Sequence, residues 1–112
     1  MPGSPRWSCV AMYYSALHLA HAVCATRDVH PDRHSRAIVE FAKTEGIGQD
    51  AVTALRQLHR LSETARYLDQ HSTHDGWPGP EYSNDPRAAV EQAQAWYEIV
   101  RTEAERLVEA AG

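Results

Sequence analysis

The chain has 112 residues, 43% of them hydrophobic, which is enough for one compact domain and one core but not for a second. Acidic residues outnumber basic ones by 15 to 11, a formal charge of −4, so the whole-molecule field does not favour nucleic acid and any RNA or DNA contact must come from a local patch. The two cysteines, Cys9 and Cys24, form no Cys-x-x-Cys pair, which argues against a structural zinc or thioredoxin-like centre and fits reduced thiols in a cytoplasmic protein.

The first predicted helix covers residues 7–26 and carries no formal charge from Trp7 to Thr26. At about 100° per residue, Val10, Tyr13, Tyr14, Leu17, His21 and Cys24 share one face, while Met12, Ala16, Leu19 and Val23 cover the other. A helix apolar on both sides is either the centre of a bundle or part of a subunit interface. Its length alone would span a bilayer, but two histidines, two tyrosines and several hydroxyls are costly in lipid, so neither a membrane span nor a signal peptide is expected. Cys9 and Cys24 lie roughly 22 Å apart along such a helix and cannot bridge each other within it. His21 falls within the apolar face and reads as a space-filling imidazole bonded to a carbonyl or hydroxyl. His18, at the margin and one turn from Tyr14, is placed to share a cleft with it.

Asp28, His30 and Pro31 form a polar turn, and a short second helix follows over 32–43 with Ala37, Ile38 and Phe41 inward, ended by Gly46 and Gly48. The third helix, 49–70, carries the stripe Ala51, Ala54, Leu58, Leu61, Ala65 and Leu68 against an opposite side of Arg56, His59, Arg60 and Glu63. Ser62, Arg66 and Asp69 border that stripe. Residues 71–84, with Trp77-Pro78-Gly79-Pro80, are a Gly/Pro/His-rich internal loop. Asp85 caps a last helix that starts with Pro86 and occupies about 85–110, burying Val90, Ala93, Tyr97, Val100, Ala104, Leu107 and Val108. Glu103, Glu105 and Glu109 with Arg101 and Arg106 read as its solvated, self-paired face. No stretch alternates as a strand does and no repeat occurs, so residues 1–112 are expected to be a single all-α domain, an up-down four-helix bundle.

Polar residues at the helix margins define the candidate sites. His34 in the first turn of the second helix, with Arg33 or Arg36 beside exposed N–H groups, makes an anion-friendly position. A wet pocket joining Arg66, His18 and His34 is one reading, and a solvated helix start with a snorkelling arginine is the other. His18-x-x-His21 and His71-x-x-His74 each present two imidazoles and raise a metal-binding bundle as a further alternative, although no carboxylate stands at ligand spacing with the helical pair. Gly46-Ile-Gly48 lacks a third glycine and a preceding strand, and no serine has a Gly-x-Ser-x-Gly setting, so no cofactor, metal or hydrolase nucleophile is assigned.

The elements Tyr13-Tyr14-Ser-Ala-Leu-His18, His30-Pro31-x-x-His34 and Leu58-x-x-Leu61-Ser62-x-x-Ala65-Arg66-Tyr67, in this order, resemble the HEPN superfamily over nearly the whole chain, and in particular its small bacterial branch. The resemblance implies a four- or five-helix bundle, a homodimer, and a setting in toxin–antitoxin, defence or nucleotidyltransferase-linked systems, with an antitoxin or nucleotidyltransferase as partner. Together with the helix-margin residues above, it gives the favoured reading, a domain that binds nucleotide, RNA or a protein through Tyr14, His18, His34, Arg36 and Arg66. Many relatives cut RNA with an Arg-x(4–6)-His motif, which Arg66 and His71 match in spacing, although Tyr67 replaces the polar residue usual after the arginine. Metal-independent cleavage with Arg66 and His71 as catalytic residues is therefore the alternative function, histidine taking the 2′-hydroxyl proton and arginine stabilising the phosphate.

Overall fold

A computed structural model describes residues 5–70 and 86–112, and among these every regular element is an α-helix. Helix α1 spans Pro5–Ala25, α2 His34–Ala42, α3 Gln49–Gln70 and α4 Pro86–Ala111. The predicted bounds lie within two residues of these, because proline and glycine punctuate the chain where the 3.6-residue pattern stops.

Helix α1 ends in a Schellman motif. The Val29 N–H donates to the Cys24 carbonyl at 3.1 Å and the Asp28 N–H to that of Ala25 at 3.0 Å. This places Asp28 in the left-handed region, at a φ of 59°. Gly46, at a φ of 83°, performs the corresponding reversal between α2 and α3.

The core is a single cluster in which Tyr13, Leu17, Phe41, Leu55, Leu58 and Val100 are almost wholly buried. Helix α1 is the centre, packing on α2, α3 and α4, as its two apolar faces predict. It nevertheless leaves one uncharged stripe exposed, formed by Trp7, Ala11, Ser15, His18, Ala22 and Ala25. The short α2 begins beside Tyr14 and His21 and ends near Arg27, whose guanidinium donates to the Glu40 carbonyl at 2.7 Å. It therefore runs in the same sense as α1, so the all-α four-helix bundle holds while the up-down alternation expected from sequence is kept by α3 and α4, which pair antiparallel, and not by α1 and α2.

Three details differ from the sequence expectation. Val108 is 39% exposed, since the buried side of α4 runs through Val100, Ala104 and Leu107 and Val108 lies about 100° round the helix from the last of these. His59 is half-buried against α1 instead of standing on the solvent side of α3, because the core also takes in Val52, Leu55 and Ser62 and so widens the buried arc towards it. Glu103 and Arg106 do more than pair along α4. Glu103 accepts the Gly48 N–H at 2.6 Å, and Arg106 donates to the Gly46 carbonyl at 2.8 Å. This clasp caps α3 from another helix and holds the Glu103 carboxyl below its ordinary value, chiefly through the Arg106 hydrogen bonds.

Candidate functional site

Rings, more than charges, organise the surface where α1 meets α2. Tyr14 and His21 are two turns apart on α1, on the side facing α2, and His34 is the first residue of α2. The His34 ring stands edge-on to both, with centroids 5.7 Å from Tyr14 and 6.3 Å from His21. On the other side of Tyr14 the series continues to Tyr13 at 5.3 Å and from Tyr13 to His59 of α3 at 5.1 Å. Five rings thus cross three helices, buried at Tyr13 and opening to solvent at His34.

The start of α2 is electrostatically bare. Arg33 occupies its N-cap with no side-chain hydrogen bond, and its first turn contains no acidic residue. Arg36 is exposed and pairs loosely with Glu40 at 3.6 Å; the same carboxylate lies 3.8 Å from Arg27 and 3.7 Å from Lys43. Burial first, then the proximity of His34 and His18, hold the His21 imidazole below its ordinary value, so it favours the neutral form. A surface of this kind offers ring edges and faces to a planar ligand, with guanidinium groups and open N–H groups beside them for an anion.

Of the residues singled out from sequence, Tyr14, His34 and Arg36 gather at this end of α2, and exposed His18 stands one turn before His21. The side chain of Arg66 and all of His71 lie outside the described residues, so the Arg66–His71 pair and the convergence of Arg66 with His18 and His34 rest on sequence alone. The loop 71–84 with His74, and Asp85, lie outside them as well, as do the side chains of Leu68 and Asp69. Sequence reasoning missed His21 and His59 as ring partners. For His21 the signal was its place one turn after His18, but the ring it meets is supplied by α2 and not by a carbonyl.

Elsewhere the chemistry is quieter. Cys9 and Cys24 are free and buried; burial pushes the Cys9 thiol up to about 11 and raises that of Cys24 as well. An open groove between the start of α3 and α4 is bordered by Asp50, Glu98, Ile99 and Glu103, an acidic setting that repels phosphate. Among the described residues no group of three or more His, Cys, Asp or Glu is placed to hold a metal ion, and no helix is long and apolar enough to cross a membrane.

No curated protein and no solved structure matches this chain. The sequence profile of the HEPN domain does, over residues 2–111. With nearly its whole length covered by that profile and its helices packed as one all-α bundle, the chain belongs to the HEPN domain family.

Proposed function

We propose that this HEPN domain binds RNA or a nucleotide at the start of α2, through Tyr14, His18, His34, Arg36 and Arg66. The observation that carries the reading is the half-buried Tyr14 ring against the exposed His34 ring, at a helix whose first turn holds no acidic residue. A base stacks on the rings while its phosphate meets the open N–H groups and the guanidinium of Arg36. Because the net charge is −4, binding depends on this patch and weakens with salt. Fluorescence anisotropy with a labelled single-stranded RNA at low salt tests it. Removing one stacking ring is expected to weaken affinity roughly tenfold in His34→Ala and in Tyr14→Ala. Affinity unchanged in both variants, or no binding by the wild type, refutes it.

A second reading is supported by family membership together with the spacing of Arg66 and His71: metal-independent cleavage of RNA. Cleavage of total RNA in EDTA that disappears in an Arg66→Ala, His71→Ala double variant establishes it, and cleavage that survives the double variant removes it. The proposal also includes a cytoplasmic homodimer working beside an antitoxin or nucleotidyltransferase. The uncharged α1 stripe, with Trp7 53% exposed, is suited to a second copy, and sedimentation velocity tests this.

A further inference from the structure

We propose that the outward side of α2 carries the backbone of a single-stranded RNA, with Arg36 and Lys43 as its phosphate contacts, so that this surface takes a strand and not a lone nucleotide. The inference rests on the ring-stacking reading of Tyr14 and His34 and extends it away from the helix start. Arg36 and the C-cap Lys43 are both well exposed and stand two turns apart on one side of α2, about 10 Å along its axis. A stacked strand advances about 3.4 Å per phosphate, so the row is too long for one phosphate group. Exposed Arg33, at the N-cap beside His34, joins the row to the rings.

The row is cationic because one carboxylate is shared among three cations. Glu40 is only 15% exposed and lies 3.8 Å from Arg27, 3.6 Å from Arg36 and 3.7 Å from Lys43, each separation longer than a charge-assisted hydrogen bond. Arg27, at the end of α1, is held in place by donating to the Glu40 carbonyl at 2.7 Å. Positive charge therefore remains in excess here, on a chain whose net charge is −4. Neighbouring acids do not cancel it. Asp28 is engaged by His30 at 3.1 Å, and among the described residues Asp32 and Glu45 make no ion pair with Arg27, Arg36 or Lys43. On α4 the arrangement is the opposite, since Arg101 and Arg106 spend their donors on carboxylates of their own helix, at 2.9 Å to Glu98 and 2.8 Å to Glu103. Rings for bases beside a row of cations for phosphates are what a single strand needs and an acidic peptide does not.

The test follows binding of the full chain to a fluorescein-labelled octa-adenylate by anisotropy across a salt series, with AMP as competitor. Each phosphate contact on a single strand contributes about 0.7 to the slope of log affinity against log salt, or about fivefold in affinity over the decade below about 1 M. Lys43→Gln, at an exposed position outside the base site, is expected to lose that slope and about fivefold in octamer affinity at about 0.1 M salt, with no change for AMP. Glu40→Gln, which removes the shared carboxylate, is expected to gain by a similar factor, a change that no loss of folding produces. Arg60→Gln, on the solvent side of α3, removes the same charge elsewhere and is expected to leave the slope unchanged. Octamer binding that weakens in His34→Ala but is unmoved by Lys43→Gln overturns the strand path and leaves the stacking reading standing. So does an equal loss in Lys43→Gln and Arg60→Gln. Binding indifferent to His34→Ala, or absent in the wild type, overturns both.

Discussion

Ser62 is a hydroxyl in the wrong place for stability. It is wholly buried on α3, and its Oγ finds no hydrogen-bond partner among the described residues. Replacing it with alanine removes an unpaired buried polar group, worth about 1–2 kcal/mol, and adds about 0.5 kcal/mol of helix propensity. The lost oxygen leaves little void, so the net gain for Ser62→Ala is about 1.5 kcal/mol. Urea unfolding followed by circular dichroism at 222 nm reads this as a higher midpoint with an unchanged m-value. In a thermal scan the same gain appears as a rise in Tm of about 6 °C. A variant less stable than the wild type by 0.5 kcal/mol or more refutes the reasoning, since the hydroxyl must then be bonded in solution. A stabilised variant shows that a serine is kept in the core against the interest of the fold, within the very segment, Ser62-x-x-Ala65-Arg66-Tyr67, that carries the family resemblance.

Other perturbations read other parts of the molecule. Asp28→Gly relieves the left-handed strain at the end of α1 and is expected to add about 0.5–1 kcal/mol, seen as a raised urea midpoint. Gly46→Ala, with φ at 83°, introduces the same kind of strain and lowers that midpoint by about 1 kcal/mol. Glu103→Gln is destabilising at neutral pH. Its carboxyl is held below the ordinary value in the fold, so the wild type keeps this stabilisation above about pH 4.5 and loses it as pH falls through the lowered value, whereas the variant shows no such dependence. Cys9 and Cys24, buried with raised thiol pKa values, should react with Ellman's reagent at pH 8 only as fast as the protein opens; a fast phase in folded protein contradicts their placement.

Helices were legible because their signals are local. Pro31, Gly46, Gly48 and Pro86 mark ends, and the apolar spacing of Ala37, Ile38 and Phe41 gives the inner side of α2 directly. The site was legible only in its members. Tyr14, His18, His34 and Arg36 stand out as polar residues at helix margins, but their arrangement depends on α2 running along α1 in the same sense, which no periodicity records. His59 was misplaced for a related reason: one helix's own pattern gives the centre of its buried arc, while its edge is set by how far a neighbour wraps around it. The Glu103 and Arg106 clasp joins groups 55 and 60 positions apart in the chain, beyond any pairing rule that works along a single helix.

That clasp also determines how α4 is retained. The covalent link from α3 to α4 enters at Pro86, whereas Glu103 and Arg106 tie α4 to Gly48 and Gly46 at the far end of the same hairpin. An α4 fastened at both extremities does not depend on its tether for position. A protein cut once between the hairpin's two helices would then survive as a two-piece complex.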